Sequence, residues 1–306
     1  SEFQVVLDMP VGTPLEETAR VLREISAELA QVPEVRDYQA YAGTAAPINF
    51  NGLVRQYYLR SGPEQGDIQV NLVDKHERDR SSHEIALAVR PALGEIARRH
   101  GAAVQVVEVP PGPPVQAPIV AEVYGPFYGA QRDLARELRG LFDATPDIID
   151  VDDSVEAAAR RQVVAVDRQK AALLGVAQAD VVRALAIGLQ GEDAGYVHEG
   201  SERRPIPIRL ELPVADKAGL APVLGLEVRA AGGGLVPRSE VTAVQTLPWD
   251  GAIYHKDLLP VAFVTGDMAG RLDSPLYGMF DLVGQVGDGL ASGARPDQVF
   301  GRAPDD

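Results

Sequence analysis

Asp150, Asp152 and Asp153 stand close enough in the chain to suggest a cation cage, because hard cations take carboxylate oxygens. No Asp-x-Asp-x-Asp-Gly loop frames them, and their spacing at the end of a strand pattern fits a solvated turn instead. The 5 histidines, His76, His83, His100, His198 and His255, form no i, i+4 pair, so they are expected at the surface and no metal site is predicted. The 3 methionines, Met9, Met268 and Met279, give no thioether cluster for soft metal ions, and no cysteine is present to supply thiolates or disulfides. A hydrolase would have to draw on Asp150, Asp152, His198 and Glu199, yet no Gly-x-Ser-x-Gly and no nucleophile beside a base accompanies them. Lys75 to Arg80 reads as a salt-bridged loop. Gly232-Gly233-Gly234 leads into Leu-Val-Pro and not into a helix, so it is no phosphate cradle.

Two stretches point to non-covalent work. The first is residues 43–66, too long for a plain connection, and long ordered loops in compact domains tend to be functional. Gly43, Ile48, Asn49, Phe50, Asn51, Gly52, Leu53, Tyr57 and Tyr58 are its candidate site residues. Phe50, between two asparagines, is expected to face a cleft. Tyr57 and Tyr58 either do the same or continue a strand and pack on a sheet. The second is Val109 to Pro118, with Pro110, Pro111, Pro113, Pro114 and Gln116 as its candidate residues. Proline fixes φ and removes a donor, so this stretch cannot be helix interior or central strand and serves as a stiff joint.

The elements that must position these residues follow one plan on each side of the joint. Phe3, Val5, Leu7 and Met9 alternate as a strand. Thr13-Pro14-Leu15-Glu16 predicts a capping box opening a helix over 14–31. Strands near 34–42 and 68–72 follow, then a helix opened by Ser81 and Glu84 and closed at His100-Gly101, kinked at Pro91, and a strand over 104–109. This β-α-β-β-α-β order is the split βαβ, or ferredoxin-like, arrangement. After the joint the plan restarts with a strand at 119–123, a helix at 129–144 and a strand at 147–152, and its partner half returns only near 260. Residues 161–250, with a strand at 162–166, a helix launched by Asp167 and another at 178–190, read as an insertion. The expected fold is α+β: subdomains 1–117 and 118–160 with 251–306, both ferredoxin-like, and an inserted α+β subdomain at 161–250. Paired modules meeting at a stiff corner leave a cleft, where small ligands bind.

A net charge of −15 argues against a nucleic-acid partner, and no apolar run approaches the ~20 residues that a bilayer span needs. The chain opens directly on a strand pattern, as would a product trimmed of its leader or an internal piece of something larger. Residues 284–306 lose periodicity.

The stretch Val166-Asp167-Arg168-Gln169-Lys170-Ala171-Ala172-Leu173-Leu174-Gly175-Val176, followed by a helix and Gly191, resembles the docking-domain signature of the resistance-nodulation-division efflux permeases. Leu7 to Thr13, Val70-Asn71-Leu72 with Glu77-Arg78, Tyr124-Gly125-Pro126, and Leu235-Val236-Pro237 before Ser239-Glu240-Val241 agree in order and spacing. The likeness is best to that family's second large periplasmic loop. It implies two porter subdomains and a docking subdomain in which Asp167, Arg168, Lys170 and Gly175 carry the motif. It also implies a substrate-gating loop at 43–53, with Pro110–Gln116 on the opposite lip of the cleft, and a small amphiphilic substrate passed between the porter subdomains without covalent chemistry or cofactor. The implied partners are a periplasmic adaptor (membrane fusion) protein, an outer-membrane channel and two further copies in a homotrimer. The implied location is the periplasmic side of an inner-membrane protein driven by protons. Arg238, where the family has an apolar residue, and Ala177, where it has Ser or Thr, depart from the pattern. With 7 phenylalanines, a pocket lined by many aromatics is not expected. A stand-alone periplasmic binding or adaptor protein is the alternative.

Overall fold

The computed structural model describes residues 2–290 apart from 48, 109–116, 199, 201–202, 218, 270–273 and 288, and the side chains of residues 50 and 51. The prolines and glutamine proposed as a cleft lip, Pro110, Pro111, Pro113, Pro114 and Gln116, and likewise Ile48, lie outside the described residues.

Strand β1 (Glu2–Asp8) leads to helix α1 (Leu15–Leu29) and strand β2 (Val35–Ala42). The short helix α2 (Phe50–Val54) and a 3-10 turn (Tyr57–Leu59) precede strand β3 (Gln65–Leu72), helix α3 (Ser82–Arg99) and strand β4 (Ala103–Glu108). The strands form one antiparallel sheet in the order β2-β3-β1-β4, the split βαβ arrangement. Because β1 is central, its register fixes two faces. Phe3, Val5 and Leu7 align with Val70, Ile68 and Gly66 and bury against Leu22, Ile25, Ile85 and Leu93 of the two helices. Each such side chain contributes about 1.5–3 kcal/mol. The opposite face carries Gln4, Val6, Asp67 and Gln105. Gln4 and Val6 are nonetheless buried, so β1 is covered on both faces and not on one.

Ser81 caps α3 through the expected reciprocal box with Glu84, and the helix runs through Pro91 without a break. The box expected at Thr13 does not form. Pro14 occupies the N-cap, and the Thr13 hydroxyl instead donates to the Pro10 carbonyl at 2.6 Å, closing the turn that follows β1.

The second lobe opens with strand β5 (Ile119–Val123), helix α4 (Tyr128–Ala144) and strand β6 (Ile148–Asp153). The chain then enters a separate unit, residues 160–249. There strand β7 (Arg160–Val166) is followed by helices α5 (Arg168–Leu173) and α6 (Gln178–Gln190), and strands β8 (Glu192–Val197) and β9 (Ile206–Leu210) pair as a ribbon. Helix α7 (Leu220–Gly225), the pair β10 (Glu227–Arg229) and β11 (Leu235–Pro237), and strand β12 (Thr242–Pro248), which returns beside β7, complete it. Its core is small, with Ala171, Val176, Val181, Val228 and Val241. Strands β13 (Tyr254–Lys256) and β14 (Leu259–Met268) and helix α8 (Pro275–Gly287) then resume the second lobe. β14 pairs with both β5 and β6, giving the order β6-β14-β5, over a core of Ile119, Ala121, Leu138, Phe142, Val264 and Leu282. This sequence of strands repeats β2-β3-β1 of the first lobe.

Candidate functional site

Each lobe covers one face of its sheet with helices, and the uncovered faces front a cavity of about 500 Å³. From the first lobe come Gln105 of β4 and Arg55, Tyr57 and Arg60 of the segment that crosses the sheet's polar face. From the second come Glu122 of β5, Asp152 of β6, and Phe263, Thr265 and Asp267 of β14. The reason is alternation. Ala262, Val264 and Met268 point into the core, so the odd-numbered positions between them point out.

Strand β6 reaches the same end by breaking alternation. Between the pairs Thr265↔Asp152 and Asp267↔Ile149 it carries one extra residue, a β-bulge, and Asp150 there has φ of 51°. Asp tolerates this left-handed region better than most residues. The bulge turns Asp150 and Asp152 toward the cavity; Asp153 also borders it, with its carboxylate accepting from Arg139 of α4 at 2.7 Å. The solvated turn expected for these three aspartates is therefore corrected: they lie within a strand, and the Asp153 side chain is only 4% exposed.

Carboxylates dominate the site. Asp150 accepts from Arg90 of α3 at 2.5 Å and from the Val106 amide at 3.2 Å, and Arg90 also donates to the Val106 carbonyl at 2.6 Å. Burial nevertheless holds the Asp150 carboxyl above its ordinary range. Asp267 pairs with Arg55 at 3.2 Å, and Lys256 pairs with Glu122 at 2.5 Å. Asp152 meets no cation at ion-pairing distance among the described residues. Burial, reinforced by the charge of Asp8, pushes its carboxyl up to about 6. Among the described residues, aromatic surface comes from Tyr57, whose hydroxyl burial pushes up to about 12, and from Tyr254, set edge-on against Phe263 with centroids 6.3 Å apart. Among the described residues no group of three or more His, Asp or Glu side chains is arranged to hold a metal ion.

Residues 50–54 and 57–59 form short helical turns and not strand, so Tyr57 and Tyr58 do not extend a sheet. Asn49 caps α2 by accepting from the Gly52 amide at 2.6 Å. Gly43 sits at φ of 73° as β2 ends, its amide bonded to the Gln65 carbonyl. The segment is held at one end by the Ala46 amide on Asp67, 2.9 Å, and at the other by Arg60 on Asp8 and on the Leu7 carbonyl, 2.9 and 3.0 Å. Arg60 also lies 5.9 Å from the Tyr57 ring centroid. Of the candidates in this segment, Tyr57 lines the cavity; Gly43, Asn49, Gly52, Leu53 and Tyr58 do not, and Leu53 and Tyr58 are exposed. Phe50 and Asn51 begin α2, and their side chains are outside the described residues.

In the separate unit, Asp167 caps α5 by accepting from the Gln169 and Lys170 amides at 3.1 and 3.0 Å. Gly175 ends that helix turn at φ of 67°, while Arg168 and Lys170 are exposed.

Sequence reasoning did not find Arg55, Arg60, Gln105, Glu122, Tyr254, Lys256 or Asp267. A single signal pointed toward Asp267 and Glu122: each is a charged residue at an outward position of an otherwise apolar strand.

The model of the AcrB/AcrD/AcrF family matches residues 1–275. A cation efflux system protein CzcA from Alcaligenes sp. (strain CT14) is 22% identical over 276 residues, covering 85% of this chain and 25% of that protein. A cobalt-zinc-cadmium resistance protein CzcA from Cupriavidus metallidurans is 22% identical over 278 residues, with the same coverage. The chain thus spans about a quarter of the length of these curated relatives. Among solved structures, a crystal structure of a heavy metal efflux pump superposes with a TM-score of 0.69 at 18% identity, over 94% of this chain and 30% of that one. A second crystal form gives 0.65 at 20% identity, over 92% and 29%.

Proposed function

The chain belongs to the AcrB/AcrD/AcrF family of resistance-nodulation-division permeases, and on that premise we propose that it is the periplasmic substrate-handling and docking portion of a proton-driven efflux transporter. Residues 1–117 and 118–160 with 251–306 act as two porter subdomains. The cavity between their sheets takes up a small substrate and passes it on unaltered. Residues 161–250 serve as the docking subdomain, meeting a periplasmic adaptor protein and an outer-membrane channel, in a transporter assembled as a homotrimer in the inner membrane. Ile206, Ile208 and Leu210 of β9 and Tyr196 and Val197 of β8, all exposed apolar residues, support a protein-facing role for that unit.

The observation that carries the substrate reading is the excess of carboxylates over cations facing the cavity, with Asp152 left uncompensated. A low-dielectric gap lined this way attracts cations and repels anions. This favours a cation as cargo, and the names of the relatives, a cation efflux system protein and a cobalt-zinc-cadmium resistance protein, support a divalent metal ion as its class. Binding is transient by design. A pump must release what it takes, and no complete ligand cage stands in the described residues. An amphiphilic organic cargo is the second reading, favoured by the Tyr254 and Phe263 pair and by Tyr57 on the cavity wall.

Calorimetric titration of this chain with Zn²⁺, Cd²⁺ and Co²⁺, against the lipophilic cation tetraphenylphosphonium, separates the two. Metal binding that Asp152→Asn weakens is the expected result. Binding of tetraphenylphosphonium alone would replace the metal reading with the amphiphilic one.

A further inference from the structure

We propose that Arg55 is an internal stand-in for the cargo: its guanidinium occupies the place on Asp267 that an incoming divalent cation takes, and the cation enters by displacing it. The inference rests on the reading of the cavity as a cation site.

Two arginines of the first lobe reach across to carboxylates of the second, and they are not equivalent. Arg90 extends from the long helix α3 and is locked by a closed set of bonds, to Asp150 at 2.5 Å and to the Val106 carbonyl at 2.6 Å, with the Val106 amide returning to Asp150. Arg55 has one hydrogen bond across the cleft, to Asp267 at 3.2 Å, and within its own segment it sits beside the Tyr57 hydroxyl; its Nε, like that of Arg90, is buried without a partner, so the difference between the two lies in the bonds made by the guanidinium ends. Its side chain is only 10% exposed, so it is a desolvated cation satisfied far below its capacity of five donors. Such a group is held weakly for what its burial costs, and a competing cation at Asp267 releases it to solvent.

The backbone allows that release. Arg55 lies between α2 and a left-handed Gln56, φ of 59°, in a segment pinned at Ala46 by Asp67 and at Arg60 by Asp8. Between those pins, the side-chain bonds from the described residues of the segment to the rest of the two lobes are that of Arg55 and the long 3.4 Å bond from the Tyr57 hydroxyl to Gln105. Losing the Arg55 contact frees the stretch that covers the cavity without disturbing either anchor. Occupancy of the site and opening of the segment are then one event, and a neutral or anionic molecule cannot trigger it.

The test is Zn²⁺ titration of the 306-residue chain carrying Arg55→Gln, Arg55→Lys or Asp267→Asn, read by calorimetry and by amide exchange across residues 47–59. With the internal competitor removed, Arg55→Gln binds Zn²⁺ about tenfold more tightly than the native chain, as expected where the unlatched form is about one tenth of the population. Arg55→Lys stays near the native value, and Asp267→Asn loses at least about tenfold. Exchange over 47–59 quickens with Zn²⁺ in the native chain and is already fast in Arg55→Gln without metal. Arg136→Gln, which removes an exposed cation paired with Asp133, leaves affinity unchanged and separates displacement from net charge. Native Zn²⁺ binding with no gain in Arg55→Gln overturns the displacement while leaving the cation reading standing. No Zn²⁺ binding by either chain overturns both.

Discussion

Arg90 Nη1 donates to Asp150 Oδ2 at 2.5 Å, joining helix α3 of the first lobe to the bulge of strand β6 in the second. The two side chains are 16% and 14% exposed, so neither is well solvated. Removing one partner of such a pair leaves a buried charge unmatched. Asp150→Asn, which keeps a residue suited to the left-handed backbone, is expected to lower unfolding free energy by about 3 kcal/mol, and Arg90→Met/Asp150→Asn to regain most of it. Urea denaturation of the two variants checks this, and a double variant no better than the single one would show that the pair is not an isolated energetic unit.

Asp152 gives a pH dependence of defined sign. Its carboxyl is pushed up from 3.8 to about 6, so the folded chain retains a proton that the unfolded chain has released. Stability from this group is complete below about pH 4 and declines as pH rises through about 6. Asp152→Asn should therefore stabilise the chain at pH 7 by on the order of 2 kcal/mol and make no difference near pH 4. Thermal unfolding at the two pH values distinguishes this from a pH-independent gain.

In the unit of residues 160–249, Asp167 satisfies two amides at the start of α5. Asp167→Ala is expected to cost about 1 kcal/mol, and Asp167→Ser to retain most of it. Because the core there is small, the loss should appear as faster amide exchange in 168–176.

Arg238 is fully buried in that same unit, with Nε on the Leu226 carbonyl at 3.0 Å and Nη1 without a partner. Burial holds its pKa below the ordinary arginine value. The Leu226 carbonyl keeps a second donor, the Arg238 amide at 3.2 Å, so replacing the side chain orphans nothing. Arg238→Met should raise stability by about 1 kcal/mol. A fall in the midpoint of chemical unfolding would mean that the guanidinium has a function that the fold alone does not reveal.

Much of this fold is written in local chemistry. Alternation in Phe3 to Leu7 and in Ile119 to Val123, the Ser81 box, the Asp167 cap and the glycine that closes α3 each follow from the residues within a few positions. Local signals also explain the failure at Thr13, where proline at the next position took over the cap. The segment 43–66 stood out in sequence for its length, and it does cross the sheet face that fronts the cavity, yet among its named residues that the structure describes, Tyr57 alone lines that cavity.

The sequence by itself determined the α+β class, the split βαβ plan of the first lobe and the family, because period, caps and motif order are properties of neighbours along the chain. Only the tertiary structure decided which charges meet. Arg55 and Asp267 are separated by 212 positions and Arg90 and Asp150 by 60, and a single extra residue in β6 sets which aspartates face the gap. No periodicity encodes such a pairing, because it depends on how two independently specified sheets are set face to face.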